Sequence, residues 1–572
     1  MLCPGSRSGP LALAAGGLAE HYDLKLITAI DERSAAFLAL GISTATGKAT
    51  IVVTTSGSAV GNLLPAAIEA DRSCQPVIFI TADRPQRLKN CGANQTVNQE
   101  DFLKSVCRLI QQGPPAGLHS CSESTLKKIV NGSWQKCHES PGPVHCNLSF
   151  EEPLHASLSE QKDIWSNWHP QIVVAKQKVW ELKKTNIHQV YLDVFDLDPF
   201  KPGIIIVGPW RGSSKELFIF KDTLRGLQSI TSWPIFADPL SGVDMNQPGL
   251  IPHWEFLLKA GIRLPKNGLN VLRLGPLPSS RILESWLIKL GKNQIIITEG
   301  DQRYLDPLGL SNQWSNGLFS FWQKFLKPLF NSSEHPSVQS SDFLKDLLYR
   351  DQITDKWLEE KMKLKGQVTE PALARLIPRL LPSGFCVMLS ASSPVRDWIS
   401  FGGLDSFSKR CFGFRGASGI DGTLSLAMGL SIAVGPMLLV TGDLALLHDS
   451  NGWLFANPYA PPLIVLLIDN GGGGIFSQLN LDEFQKGSLN KLFLMPQNVD
   501  PLALASAHEI PYRQISSLED LEIGIEWAIS LNGTVLLRVC TCPNKDNHLR
   551  KYLQDYLKEH IHMIIQDKDK EH

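Results

Sequence analysis

The stretch "PPLIVLLIDNGGGGIF" (461–476) joins a nearly unbroken apolar run to an acid, an amide and four glycines. A run without polar alternation is how a strand buried on both faces reads. Such strands belong to parallel sheets covered by helices. Just upstream, "PMLLVTGD" (436–443) has the same form, and "LALLHDSNGWLFANPYA" (444–460) between them is long enough for a helix. The three pieces make a βαβ unit whose strands run parallel and side by side. Asp443 and Asn470 then close the same carboxyl edge, where α/β sheets bind ligands. A carboxylate and an amide oxygen are hard donors that suit Mg2+, which takes one or two protein oxygens plus phosphate. Gly471 to Gly474 let the backbone approach a metal or a diphosphate without a β-carbon in the way. An isolated glycine run is ordinarily a tight turn. The acid and amide at matched strand ends are what point to a metal–diphosphate site.

The same strand form recurs along the chain, in "KATIVVTTSG" (48–57), "QPVIFITADRP" (75–85), "PGIIIVGP" (202–209) and "NQIIITEGD" (293–301). These runs fall into three blocks separated by polar stretches near 155–195 and 331–366. The pattern predicts three doubly wound parallel α/β domains, 1–175, 176–365 and 366–572. The 572 residues, 43% apolar and 19% charged, are ample for three cores. A net charge of −1 offers no global field to nucleic acid or to an anionic membrane. No uncharged apolar run is long enough to span a bilayer. Eleven scattered cysteines without metal-ligand spacing read as reduced thiols of a cytoplasmic protein. "RSGPLALAAGGLAEH" (7–21) reads as a helix starting at Ser8 or Pro10 rather than as a signal peptide, since Arg7 alone precedes the apolar run. "GISTATGKAT" (41–50) misses the P-loop pattern: the glycine spacing is wrong, Ala49 replaces the metal-binding hydroxyl, and a strand follows.

Gly442-Asp443, with Asn470 following, resembles the metal–diphosphate signature of thiamine diphosphate enzymes. Leu444 and Asp469 depart from the usual residues, and those departures match one subgroup. "CPGSRSGPL" (3–11), "DERSAAFLALG" (31–41), "TTSGSAVGNLLPAAIEA" (54–70), "TADRP" (81–85), "CGANQT" (91–96), "RGASGIDGTLSLAMG" (415–429), "TGDLALLHDSNG" (441–452), "NGGGGIFSQL" (470–479) and "LMPQNVD" (494–500) look like the 2-succinyl-5-enolpyruvyl-6-hydroxy-3-cyclohexene-1-carboxylate synthase family. That family serves menaquinone and phylloquinone synthesis.

The resemblance implies a transferase that decarboxylates 2-oxoglutarate and adds the succinyl carbanion equivalent to isochorismate. It implies thiamine diphosphate with Mg2+ or Mn2+ as cofactors. Glu32 matches the buried acid that shares a proton with the aminopyrimidine ring, and an apolar setting would suit that role. Taken alone, Glu32 reads as an acid favoured at a helix start. Gln95 and Ser392 are the other implied catalytic residues. Ile420 matches the apolar residue beneath the bent coenzyme, with Ile475 and Phe476 also against it. Asp443, Asn470 and the Gly472 carbonyl match the metal ligands. Ser6, Arg7, Arg84, Asn94, Gln95, Arg281, Ser392, Arg396, Arg415 and Leu479 complete the implied substrate pocket. Arg suits it because both substrates are dicarboxylates, and Arg7, Arg84, Arg396 and Arg415 are expected at strand–loop junctions. The middle domain is expected to be inert apart from Arg281. The family carries a further helix and strand before "CPGSRS", so a shortened start at Met1 is expected. It also implies a homodimer or dimer of dimers, with each site at the subunit interface. Two alternatives stay open. An acetolactate-synthase-like carboligase would have an apolar substrate pocket, and a non-catalytic subunit of this fold would lack Glu32 or Asp443.

Overall fold

The structure, a computed structural model, describes the chain apart from residues 170–196, 266–267, 293, 331–340, 458, 479–489 and 569–572. Among the described residues the strands form three sheets, and every strand pair in them is parallel.

The first sheet runs β1-β2-β4-β3, with β1 Thr50–Thr54, β2 Val77–Asp83, β3 Leu109–Gln112 and β4 Pro143–Ser149. Leu2 extends it through bridges to Val53 and Thr28. The second runs β6-β5-β7-β8-β9, with β5 Gly203–Val207, β6 Ile235–Ala237, β7 Asn270–Leu274, β8 Gln294–Ile297 and β9 Ser311–Trp314. The third runs β11-β10-β12-β13-β15-β14, with β10 Cys386–Leu389, β11 Arg410–Gly413, β12 Met437–Gly442, β13 Leu463–Asp469, β14 Tyr512–Ile515 and β15 Val535–Cys540. Each apolar run quoted above became one of these strands. β4 and β5 are buried end to end, and β12 and β13 are buried up to their last residues, Gly442 and Asp469, as strands covered by helices on both faces must be.

β12 and β13 are neighbours in register, with Gly442 opposite Ile468. Asp443 and Asn470 therefore leave the sheet together at its carboxyl edge, as the βαβ reading requires. Residues 7–21 are helical as expected: a turn at Ser6–Ser8 leads into the helix Gly9–His21. Within the polar stretches, helices Leu158–Asn167 and Ser341–Lys361 are described. No helix among the described residues is long and apolar enough to cross a membrane.

Of the contacts that lock the first sheet to the third, two engage the backbone most closely. The helix Glu32–Thr46 starts where the Asp31 side chain accepts from the Arg33 and Ser34 N–H groups. It packs on the helix Thr423–Val434 at backbone distance: a β-carbon on Gly41 would lie 2.3 Å from the Leu426 carbonyl oxygen, and one on Gly429 2.0 Å from that of Leu38. The second contact is Glu69, on the helix Leu64–Ser73. Its carboxylate accepts from the backbone N–H groups of Gly416 at 2.8 Å, Ala417 at 2.6 Å and Ser418 at 3.1 Å.

Candidate active site

The edge of the third sheet carries the first group. Asp443 opens the short helix Asp443–His448, and its carboxylate accepts from its neighbour Leu444 N and from Gly472 N, each at 2.7 Å. Burial pushes its pKa up, with the nearby Asp469 charge adding to the effect. Asp469 itself is held by Arg538 at 2.7 Å. Asn470 donates through Nδ2 to Glu370 Oε1 at 2.8 Å. Its Oδ1 is buried and takes no hydrogen bond among the described residues. A buried acceptor left open is costly unless something else fills it.

The glycines serve this arrangement. Gly472 has φ +124, and a β-carbon there would sit 1.9 Å from the Leu494 carbonyl oxygen. A β-carbon on Gly474 would fall 2.7 Å from Asn470 Nδ2. A carboxylate, an open amide oxygen and a glycine backbone on one edge fit a hard divalent cation that also binds phosphate oxygens. Ile475 and Phe476 follow in the turn Gly474–Gln478, where the Phe476 ring packs on Phe493. Leu479 lies outside the described residues.

Arginines gather beside this edge. Ser392, at φ +78, precedes the helix Ser393–Phe401, and its carbonyl accepts from Arg396 at 2.6 Å. A serine held in the left-handed region is strain of the kind that functional turns retain. Burial lowers the Arg396 pKa, and the charges of Arg415 and Arg281 lower it further, so three cations share this corner. Arg396 departs from expectation: it lies within the helix after β10 and not at the strand–loop junction, because the chain turns helical directly at Ser393. The middle sheet also does more than expected. Besides Arg281, its loops hold Arg415, through Ser279 Oγ on the side chain and Arg211 Nη2 on the carbonyl at 3.0 Å. Neither Ser279 nor Arg211 had a sequence signal beyond proximity to a glycine or proline. Ile420 is partly exposed in the Glu69-bound loop.

A second group lies on the first sheet. Glu32 is half-buried and accepts from Asn62 Nδ2 at 3.1 Å. Arg84 donates to Ser56 Oγ at 2.6 Å and to the Gln95 carbonyl at 2.7 Å. Gln95 returns a bond from Nε2 to the Ser56 carbonyl at 2.9 Å. Burial lowers the Arg84 pKa, and the nearby Arg7 charge lowers it further. Arg7 is steadied by the Phe150 carbonyl at 3.0 Å and by Glu152 at 3.3 Å. Ser6 starts the adjoining turn, and Asn94 is exposed beside Gln95. Ser56 was absent from the expected site and is the hub of this group. No hydrogen bond or ion pair among the described residues joins Glu32 to Asp443 or Asn470.

Comparison with known proteins decides the family. Residues 2–103 match the thiamine pyrophosphate enzyme N-terminal TPP binding domain, and residues 407–539 match the C-terminal TPP binding domain. A 2-succinyl-5-enolpyruvyl-6-hydroxy-3-cyclohexene-1-carboxylate synthase of Prochlorococcus marinus (strain MIT 9313) is 54% identical over 99% of this chain and 98% of its own length. The synthase of that name from Synechococcus sp. (strain CC9902) is 52% identical over 97% of this chain and 96% of its own. The chain belongs to this synthase family. The two domain matches divide the synthase's candidate residues unevenly. Ser6 to Gln95 fall in the first match and Arg415 to Phe476 in the second. Arg281, Ser392 and Arg396 lie between them.

Proposed function

We propose that the protein is a thiamine diphosphate-dependent transferase that decarboxylates 2-oxoglutarate and adds the resulting succinyl unit 1,4 to isochorismate. The product is 2-succinyl-5-enolpyruvyl-6-hydroxy-3-cyclohexene-1-carboxylate, for menaquinone or phylloquinone synthesis. The observation that carries this reading is the open, buried Asn470 oxygen beside Asp443, in a chain alike over nearly its whole length to synthases of that name.

Bound thiamine diphosphate supplies an electron sink through which a 2-keto acid can lose CO2 and attack an electrophile. The chain's own residues do the rest. Asp443, Asn470 and the Gly472 carbonyl hold Mg2+ or Mn2+. Ile420, Ile475 and Phe476 give the coenzyme an apolar bed. Glu32 holds and returns a proton at its carboxylate. Arg7, Arg84, Arg281, Arg396 and Arg415 bind substrate carboxylates. Ser6, Asn94, Gln95 and Ser392 orient the reacting groups by hydrogen bonds, with Leu479 closing the pocket. Gln95 and Ser392 lie nearest the chemistry in this reading.

We further propose a homodimer, or dimer of dimers, in which Glu32 of one subunit serves the metal edge of the other. Ile30, 84% exposed two residues before Glu32, and Ile420, 37% exposed, support this as apolar surface open to a partner. The domain limits 1–175, 176–365 and 366–572 each enclose one sheet, and the cytoplasm suits the eleven free thiols.

The test incubates purified protein with thiamine diphosphate, Mg2+, 2-oxoglutarate and isochorismate and follows isochorismate loss. Turnover of pyruvate, or CO2 release without carbon–carbon bond formation, would overturn the assignment. An acetolactate-type reading is disfavoured by the arginines, which have no use in an apolar substrate pocket.

A further inference from the structure

The Asn470 amide has two chemically opposite ends, an oxygen that accepts and a nitrogen that donates. Only the oxygen can meet a cation. In this chain the nitrogen is already committed, to Glu370 Oε1 at 2.8 Å. Glu370 opens the helix Glu370–Leu380 and is 3% exposed. The same oxygen accepts from Thr541 Oγ1 at 3.3 Å, and the other is held by Arg550 Nη2. Arg550 reaches in from the helix Pro543–Lys568 and is anchored by Asp397, with Nε to Oδ1 at 2.8 Å. A carboxylate buried this deeply needs a cationic partner and full hydrogen bonding, and it has both. The result is a chain of contacts running Asp397, Arg550, Glu370, Asn470. Its last free atom is the open amide oxygen.

We propose that Glu370, paired with Arg550, is a positioning residue for the divalent cation: it fixes the Asn470 amide with its oxygen toward the ion. This rests on the reading of Asp443 and Asn470 as metal ligands. Without Glu370 the amide could turn over and present its NH2 group to the cation. Partners that orient a metal ligand in this way typically alter affinity by about 10–100-fold.

The experiment measures Mn2+ binding to the full-length apoprotein with thiamine diphosphate present, by loss of the free-ion electron paramagnetic resonance signal. Glu370→Gln is expected to weaken Mn2+ binding by at least about tenfold. Asn470→Asp sets two carboxylates face to face in the parent. In the Glu370→Gln background the glutamine NH2 can donate to the new carboxylate, which restores the pair with reversed polarity. The effect of Asn470→Asp on Mn2+ affinity should therefore differ by about tenfold or more between the two backgrounds. A Glu370 that only stabilises the fold would lower the thermal midpoint of the apoprotein and leave the two effects additive. Arg550→Lys, a gentler change that keeps the charge and loses the fork, should also weaken Mn2+. Affinity within about twofold of the parent in Glu370→Gln and Arg550→Lys, or additivity within about twofold in the cycle, overturns the proposal. Asp443→Ala separates the two levels. If it keeps parental Mn2+ affinity, the metal reading itself fails. If it loses affinity while the Glu370 variants do not, only the positioning role fails.

Discussion

At Gly474 one β-carbon decides whether Asn470 can keep its amide in place. The methyl of alanine would sit 2.7–2.9 Å from all three terminal atoms of that side chain. Gly474→Ala should weaken Mg2+ by about tenfold, read from the Mg2+ dependence of thiamine diphosphate binding, with only a small shift in thermal midpoint. Glu32→Gln should slow turnover by roughly 100-fold or more while the coenzyme still binds, and near-normal rates would rule out its role. Asp443 and Asn470 were legible because their signal is local: the residue type at the end of a buried strand. Glu370 and Ser56 were not, since each matters only through a partner brought close by the fold. Asn470 and Glu370 are 100 positions apart in sequence.

The helix Glu32–Thr46 depends on backbone contact with its partner helix, so a side chain at the crossing has no room. Gly429→Val should cost about 3 kcal/mol or more of stability, measured by chemical denaturation, because the strain falls on the Leu38 carbonyl and not on a movable side chain. A second element-scale effect sits in β4. His145 is fully buried, with one ring nitrogen 2.7 Å from Thr81 Oγ1, and burial holds its pKa down to about 4. The folded sheet thus keeps the ring neutral where the unfolded chain, at 6.5, takes a proton. Stability is intact above pH 6.5 and falls as pH drops toward 4, by about 2 kcal/mol at pH 5 from this group. His145→Gln should flatten that pH dependence of the unfolding midpoint. The strands β1, β2, β5, β8, β12 and β13 were readable from their unbroken apolar runs. Edge strands such as β11 "RCFG" and β14 "YRQI" were not, because a half-exposed strand of that length leaves no such run.

For the whole molecule, the division of the candidate site into two groups makes a sharp prediction. Glu32→Gln and Asp443→Ala chains, each inactive alone, should regain activity when mixed and allowed to exchange subunits. The mixed dimer then holds one site with both residues intact. No recovery would mean that Glu32 serves the metal edge of its own chain. The three-sheet plan was visible in the spacing of the apolar runs, but the grip of the middle sheet on Arg415 was not, since hydrogen bonds between distant loops leave no periodic trace. The carboxylate of Glu69, clasped by three amides of the loop before Ile420, carries a lesson for recombination among relatives. A hybrid gene spliced between the first and last sheets inherits the lock from one parent and the key from the other, so crossovers will be tolerated only where both parents cut them alike.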